Sequence, residues 1–236
     1  MLLYIIRHGE PDYATDSLTE NGKKQAEALA ERLCTHGFDE IYASPLGRAI
    51  QTAQPTCNRL KIQYSIEEWM SESLAWDDFS VTDNEGEKNW SFACQNTKLI
   101  GSGYTNKDWF SNPVFSSCKS ALGGYQRIKN ASDDFLNRLG YKRDGSTYKI
   151  ISPSEKRIAA FCHHGFGTAW LSHLLSISPH IFWSSFDIAH SSVTILIFRN
   201  NPDGFTAPQC VCLSDMSHIY KEKLPVNAAI NFFGDK

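Results

Sequence analysis

The chain opens on an apolar run, Leu2-Leu3-Tyr4-Ile5-Ile6, of the length of a buried strand, which gives way at once to a polar loop over residues 7–17. Over residues 19–35 the apolar positions Ala26, Leu29, Ala30 and Leu33 share one helical face, and Gly37 supplies a stop. A short strand over Glu40–Ala43 and a second helix over residues 46–60 follow; Pro55 within that helix is expected to kink or shorten it. Residues 76–119 have weak periodicity and carry Trp76, Trp90, Trp109, Phe79, Phe92, Phe110, Phe115 and Tyr104 among Asn, Ser, Gly and Lys, which predicts an irregular, aromatic-packed insertion. A helix returns over residues 124–139, with Ile128, Ala131, Phe135 and Leu139 spaced for burial.

Strand signals follow at residues 148–151 and at Arg157–Cys162, the latter running into His163-His164-Gly165. A helix is expected over residues 168–175 and a β-branched strand over residues 192–198. A last strand over residues 206–213 is expected to pair with its predecessor across residues 200–204. Alternating strands and helices early, with hairpin-like strands late, predict an α/β fold built on a mixed, mainly parallel sheet covered by helices. In such sheets sites form where loops leave the carboxyl ends of strands, and His8 and His164 both fall at such places.

A length of 236 residues fits one large domain spanning 1–236, with the insertion inside it. The formal net charge of −3 gives no electrostatic reason to expect nucleic acid or an anionic membrane as partner. The first apolar run is too short for a signal-peptide core and no stretch approaches a membrane span, so a cytoplasmic protein is expected. Seven cysteines, at positions 34, 57, 94, 118, 162, 210 and 212, include no CxxC pair; Cys210 and Cys212 share a strand face and read as packing thiols. No histidine pair has metal-ligand spacing, so neither a metal nor another cofactor is expected.

Chemistry enters with Arg7-His8-Gly9-Glu10. A neutral imidazole is a good nucleophile toward phosphorus, and phosphoryl transfer needs positive charge around the equatorial oxygens and a proton donor for the leaving oxygen. Arg7-His8 sets a candidate nucleophile beside a guanidinium. Three further blocks follow in order: Leu18-Thr19-Glu20-Asn21-Gly22 with Gln25-Ala26; Ile41-Tyr42-Ala43-Ser44-Pro45-Leu46 with Arg48-Ala49 and Thr52-Ala53; and Phe161-Cys162-His163-His164-Gly165. Together the four blocks resemble the histidine phosphatase superfamily, in its phosphoglycerate mutase-like branch. The resemblance is good over residues 1–60 and 157–198 and thin between them.

The resemblance implies a three-layer α/β/α fold and a role for each matched position. His8 is the expected phosphorylated nucleophile, Arg7 and Arg48 the arginines that hold the phosphoryl group, and His164 the second histidine, which stabilises charge on a phosphoryl oxygen. Gly165 is expected to let backbone N–H groups approach the phosphate, and His163, pointing to the other side, is expected to be structural. The family's acid, a few tens of residues after the Arg-Ala helix, falls at Glu72, with Asp77 or Asp78 as fallback. Many relatives carry Trp-Asn shortly after the nucleophile motif, and here residues 10–15 lack it. Mutases follow the acid with Arg and Tyr that grip a carboxylate, and Ser73-Leu74-Ala75-Trp76 supplies neither.

The expected activity is therefore metal-independent hydrolysis of a small phosphorylated substrate through phosphohistidine. A phosphoglycerate mutase-type isomerase and a non-catalytic phosphate binder are the alternatives, and oligomeric state is open. Of the other histidines, His190 and His218 border the expected site, whereas His36, His173 and His180 read as helix-end, surface or loop residues. Lys88, Lys98 and Lys107 of the insertion are candidate anion contacts, and its tryptophans read mostly as packing.

Overall fold

The computed structural model describes residues 1–82, 85–93, 96–101, 103–104 and 107–226. Cys94 lies outside the described residues. Six strands form the central sheet: β1 (Leu2–Arg7), β2 (Glu40–Ala43), β3 (Tyr64–Ile66), β4 (Arg157–Cys162), β5 (Val193–Ile197) and β6 (Gln209–Asp215). Their spatial order is β6-β5-β1-β4-β2-β3. β1, β4, β2 and β3 run parallel; at one edge β5 pairs antiparallel with β1 and β6 antiparallel with β5. The sheet is mixed and mainly parallel, as its sequence pattern predicts.

Strand alternation assigns the two faces. Tyr4 and Ile6 of β1, with Ala159 and Phe161 of β4, pack against Leu29 and Leu33 of α1 (Glu20–Cys34) and Ala53 of α2 (Gly47–Leu60). Leu3, Ile5, Ile158 and Ala160 point the other way. They meet a larger cluster built by α3 (Glu72–Phe79), α4 (Ala121–Arg138), α5 (His164–Leu174) and α6 (Pro179–Ser185). The result is a three-layer α/β/α fold. Among the described residues no helix is long and apolar enough to cross a membrane.

Several elements depart from their expected form. α2 continues through Pro55 to Leu60, because the carbonyl that loses its donor belongs to Gln51, on the exposed side of the helix. α5 begins at His164, four residues before the expected start at 168, so the chain turns from strand to helix within one residue of Cys162. The expected last strand is two: Phe205–Thr206 joins a small sheet with Thr147–Ile150 and Tyr141–Asp144, and β6 joins the main sheet. Pro208, which has no N–H to give a ladder, stands in the break.

The described residues of the insertion form more regular elements than its periodicity suggests. They hold the end of α3, a hairpin of Ser80–Thr82 with Lys88–Trp90, and helical turns. Trp109, Phe115 and Phe92 pack on Trp183 of α6, which ties the insertion to the main body. His173 and His180 are buried rather than exposed: His173 lies on the inner side of α5 against Asp133, and His180 pairs with Ser178. Cys210 and Cys212 are half-buried free thiols on the edge strand β6.

Candidate active site

The parallel register of the sheet builds the site. Arg7 pairs with Cys162 across β1 and β4, so the residues that follow, His8 and His163, leave the sheet side by side. The His8 N–H donates to the Cys162 carbonyl at 3.0 Å, and the two imidazoles stand 5.0 Å apart between ring centres. Both continue the strand faces of Ile6 and Phe161. β2 ends beside them, and Ser44 Oγ lies 2.7 Å from His163 Nε2. Backbone hydrogen bonds thus hold three side chains from three adjacent strand ends.

The loop after β1 is locked to both nearby helices. The Gly9 N–H donates to Thr52 Oγ1, which itself donates to the Arg48 carbonyl in α2. Glu10 N–H donates to Gln25 of α1, and Thr19 caps α1 by accepting from the Gly22 N–H. Glycine at 9 and 22 is dictated by the close approach of loop and helix, since a Cβ on Gly9 would collide with the Gly22 carbonyl and one on Gly22 with the Glu10 backbone.

The tautomer of His8 follows from its partner. Nδ1 lies 2.7 Å from the Gly9 carbonyl, which only accepts, so Nδ1 carries the proton and Nε2 the free lone pair. Burial, reinforced by His163 and the Arg7 guanidinium, holds the His8 pKa well below the usual histidine range. Burial, with Arg48 and Arg7, does the same for His163. Both rings are therefore neutral at pH 7.

Arg7 donates through Nη1 to the Ile188 carbonyl and through Nη2 to His190 Nε2, at 2.7 and 2.6 Å. A guanidinium cannot accept, so His190 is neutral, in keeping with a pKa drawn down to about 3 by burial and by Arg7. Its ring centre lies 5.4 Å from that of His8. Arg48 pairs with Asp16, whose other carboxylate oxygen accepts from the Gly47 N–H. Arg7 Nε, Arg48 Nε and His163 Nδ1 are each buried without a hydrogen-bond partner. Unsatisfied buried polar atoms are uncommon in folded proteins, and three of them sit around one imidazole here.

Glu72 occupies the first turn of α3, and its two oxygens accept from the Gly165 and Phe166 N–H groups, both at 2.8 Å. These donors are free because they begin α5, where no preceding turn supplies acceptors. The carboxylate is thereby fixed across the cleft from His8, and both line a cavity of about 480 Å³ with Tyr13, Arg48, Ser73, Trp76, Asp77 and Trp90. Asp78, one of the fallback acids, is tied to Arg127 at 2.8 Å, whereas Asp77 lines the cleft.

His164 stands elsewhere. Its Nε2 lies 2.6 Å from Asp187 and its ring faces Phe92, and it does not line the cleft that holds His8. Gly165 gives its N–H to Glu72 and, lacking a Cβ, makes room for the Trp90 ring. Lys88, Lys98 and Lys107 do not line the cleft either, whereas Trp76 and Trp90 of the insertion do. The structure thus brings together His8, Arg7, Arg48 and Glu72 and adds His163 and His190. The strand alternation that runs through Ile6 to His8 and through Phe161 to His163 is a signal that could have found His163.

These buried neutral histidines make stability acid-sensitive. His8, His163, His190 and His218, the last drawn down to about 4 mainly by burial, resist protons that the unfolded chain accepts near pH 6.5. The unfolded state therefore binds more protons below that pH, and stability falls as pH drops. Each fully resistant histidine costs up to about 1.4 kcal/mol per pH unit. The urea midpoint is expected to be clearly lower at pH 5 than at pH 7.5, and equal midpoints would contradict the burial of neutral rings.

Comparison with known proteins agrees with this geometry. The family model of the histidine phosphatase superfamily (branch 1) matches residues 3–109. Over that stretch, less than half of the chain, the sequence is similar to this superfamily. "Putative phosphoserine phosphatase 2" of Hydrogenobacter thermophilus is 29% identical over 121 residues, 48% of this chain and 54% of that protein. "Probable phosphoglycerate mutase GpmB" of Enterobacter sp. is 43% identical over 61 residues, 22% of this chain and 28% of that one. The chain thus spans about half or less of the length of these curated relatives. Among solved structures, the phosphoserine phosphatase of Entamoeba histolytica with phosphoserine bound superposes with a TM-score of 0.60 at 21% identity, covering 92% of this chain and 98% of that one. A mycobacterial glucosyl-3-phosphoglycerate phosphatase gives 0.61 at 16% identity, covering 90% and 98%.

Proposed function

We propose that the chain hydrolyses phosphate monoesters through a phosphohistidine on His8. The observation that carries this reading is the group of three buried, unpartnered nitrogens, Arg7 Nε, Arg48 Nε and His163 Nδ1, around a neutral imidazole with its Nε2 lone pair free. Donors fixed in place before the ligand arrives are what a phosphoryl group with three charged oxygens requires. The names of the relatives, several of them phosphatases of small phosphorylated molecules, support a substrate of that class.

In the proposed reaction His8 Nε2 attacks phosphorus in line, a P–N bond forms, and the bond to the ester oxygen breaks. Arg7 and Arg48 balance the phosphoryl charge. Ser44 Oγ can donate to His163 Nε2, which leaves the proton on Nδ1 for a phosphoryl oxygen. We assign that role to His163 rather than to His164, which faces Asp187. Glu72 passes a proton to the leaving oxygen and takes one from the water that then opens the P–N bond, releasing phosphate and restoring neutral His8. Hydrolysis of p-nitrophenyl phosphate with EDTA present, by the native chain and by His8→Ala, tests this. Metal-independent turnover that the substitution removes is expected, and turnover that survives it refutes the assignment. With a phosphoglycerate as substrate, free phosphate is the expected product, and migration of phosphate within the molecule would mark an isomerase instead.

A further inference from the structure

The end of the cleft away from the phosphoryl donors is walled by aromatic rings and a carboxylate. Glu72, Ser73, Trp76 and Asp77 share one stripe of α3, at i, i+1, i+4 and i+5, and all four line the cleft. Trp90 completes the wall. Its ring meets Trp76 edge-to-face at 4.8 Å and rests where a Cβ on Gly165 would otherwise be. Tyr13 lines the cleft too, with the Arg48 guanidinium 5.4 Å from its ring centre. Among the described residues that line it, Arg48 is the one cationic side chain, and it belongs with His8 at the phosphoryl end.

We propose that this aromatic and acidic wall recognises a cationic alcohol, so that the substrate is a phosphomonoester whose leaving group carries an ammonium head. The inference rests on reading the His8 end as a phosphohydrolase site. An ammonium is attracted to a half-buried indole such as Trp76 and to an exposed carboxylate such as Asp77, whereas Tyr13 sits by Arg48 at the phosphoryl end. A carboxylate-bearing leaving group would meet Asp77 with like charge and find no cation at that end.

Choline phosphate and its uncharged isostere 3,3-dimethylbutyl phosphate separate charge recognition from shape. In the native chain kcat/KM is expected to favour choline phosphate by about tenfold or more, and the ratio is expected to fall toward one in Asp77→Asn. Because it is a ratio within one protein sample, partial misfolding of the variant does not move it. A native ratio at or below one overturns the inference, as does 3-phosphoglycerate outperforming choline phosphate. Calorimetric binding of the same pair to His8→Ala reads the preference without turnover. Turnover of p-nitrophenyl phosphate with no preference between the isosteres sinks only the cation site. Preferential binding of choline phosphate with no turnover of any ester sinks only the phosphohydrolase reading.

Discussion

Replacing His8 with alanine is expected to lower kcat for p-nitrophenyl phosphate by about 10⁴-fold or more, because the covalent route is lost entirely. The neighbouring groups leave no substitute. His163 is held to Ser44 and His190 accepts from Arg7, so neither presents a free nucleophilic nitrogen where His8 Nε2 stands. The charged groups remain in His8→Ala, so phosphate or vanadate binding is expected to persist. A loss of only a few-fold would mean that the attack on phosphorus is made by another group or by water directly.

The second large effect separates two adjacent histidines. His163→Ala is expected to reduce kcat/KM by about 10²- to 10³-fold, the range for losing one fixed donor to developing oxyanion charge. His164→Ala is expected to stay within a few-fold of native, since its ring faces Asp187 and Phe92 rather than His8. His163 is fully buried, so the loss could come from unfolding. His163→Gln and a thermal unfolding scan on each variant distinguish that case. Equal damage from both alanine variants, or greater damage from His164→Ala, contradicts the role given to His163.

Sequence and structure agree where physical signals are strong. The apolar runs before Arg7 and before His163 read plainly as buried strands, because a short continuous apolar run that ends in polar residues marks a strand covered on both faces. The matched blocks carried His8, Arg7 and Arg48 to one place, and Glu72 to the facing helix. His163 is harder to read, because a Gly follows His164 and that order points to His164, whereas the residue that stands beside His8 is His163. Only the paired ends of β1 and β4 set His8 level with His163. α3 was illegible as a helix for another reason. Its buried positions are few, among them Ala75 and Phe79, and its other face, with Trp76 and Asp77, serves the cleft rather than a core. His173 and His180 were misplaced because burial of a histidine depends on a partner from another turn or element, as Asp133 shows for His173.

The central claim is that phosphate passes through a P–N bond to His8. Rapid quenching of the native chain with a phosphomonoester, followed by mass mapping of the phosphorylated peptide, addresses it most directly. The account predicts a phosphoryl group on the peptide carrying His8 that survives alkali, is lost in acid and is absent from His8→Ala. A phosphoryl group on any other residue, or rapid turnover with none formed under single-turnover conditions, would contradict it.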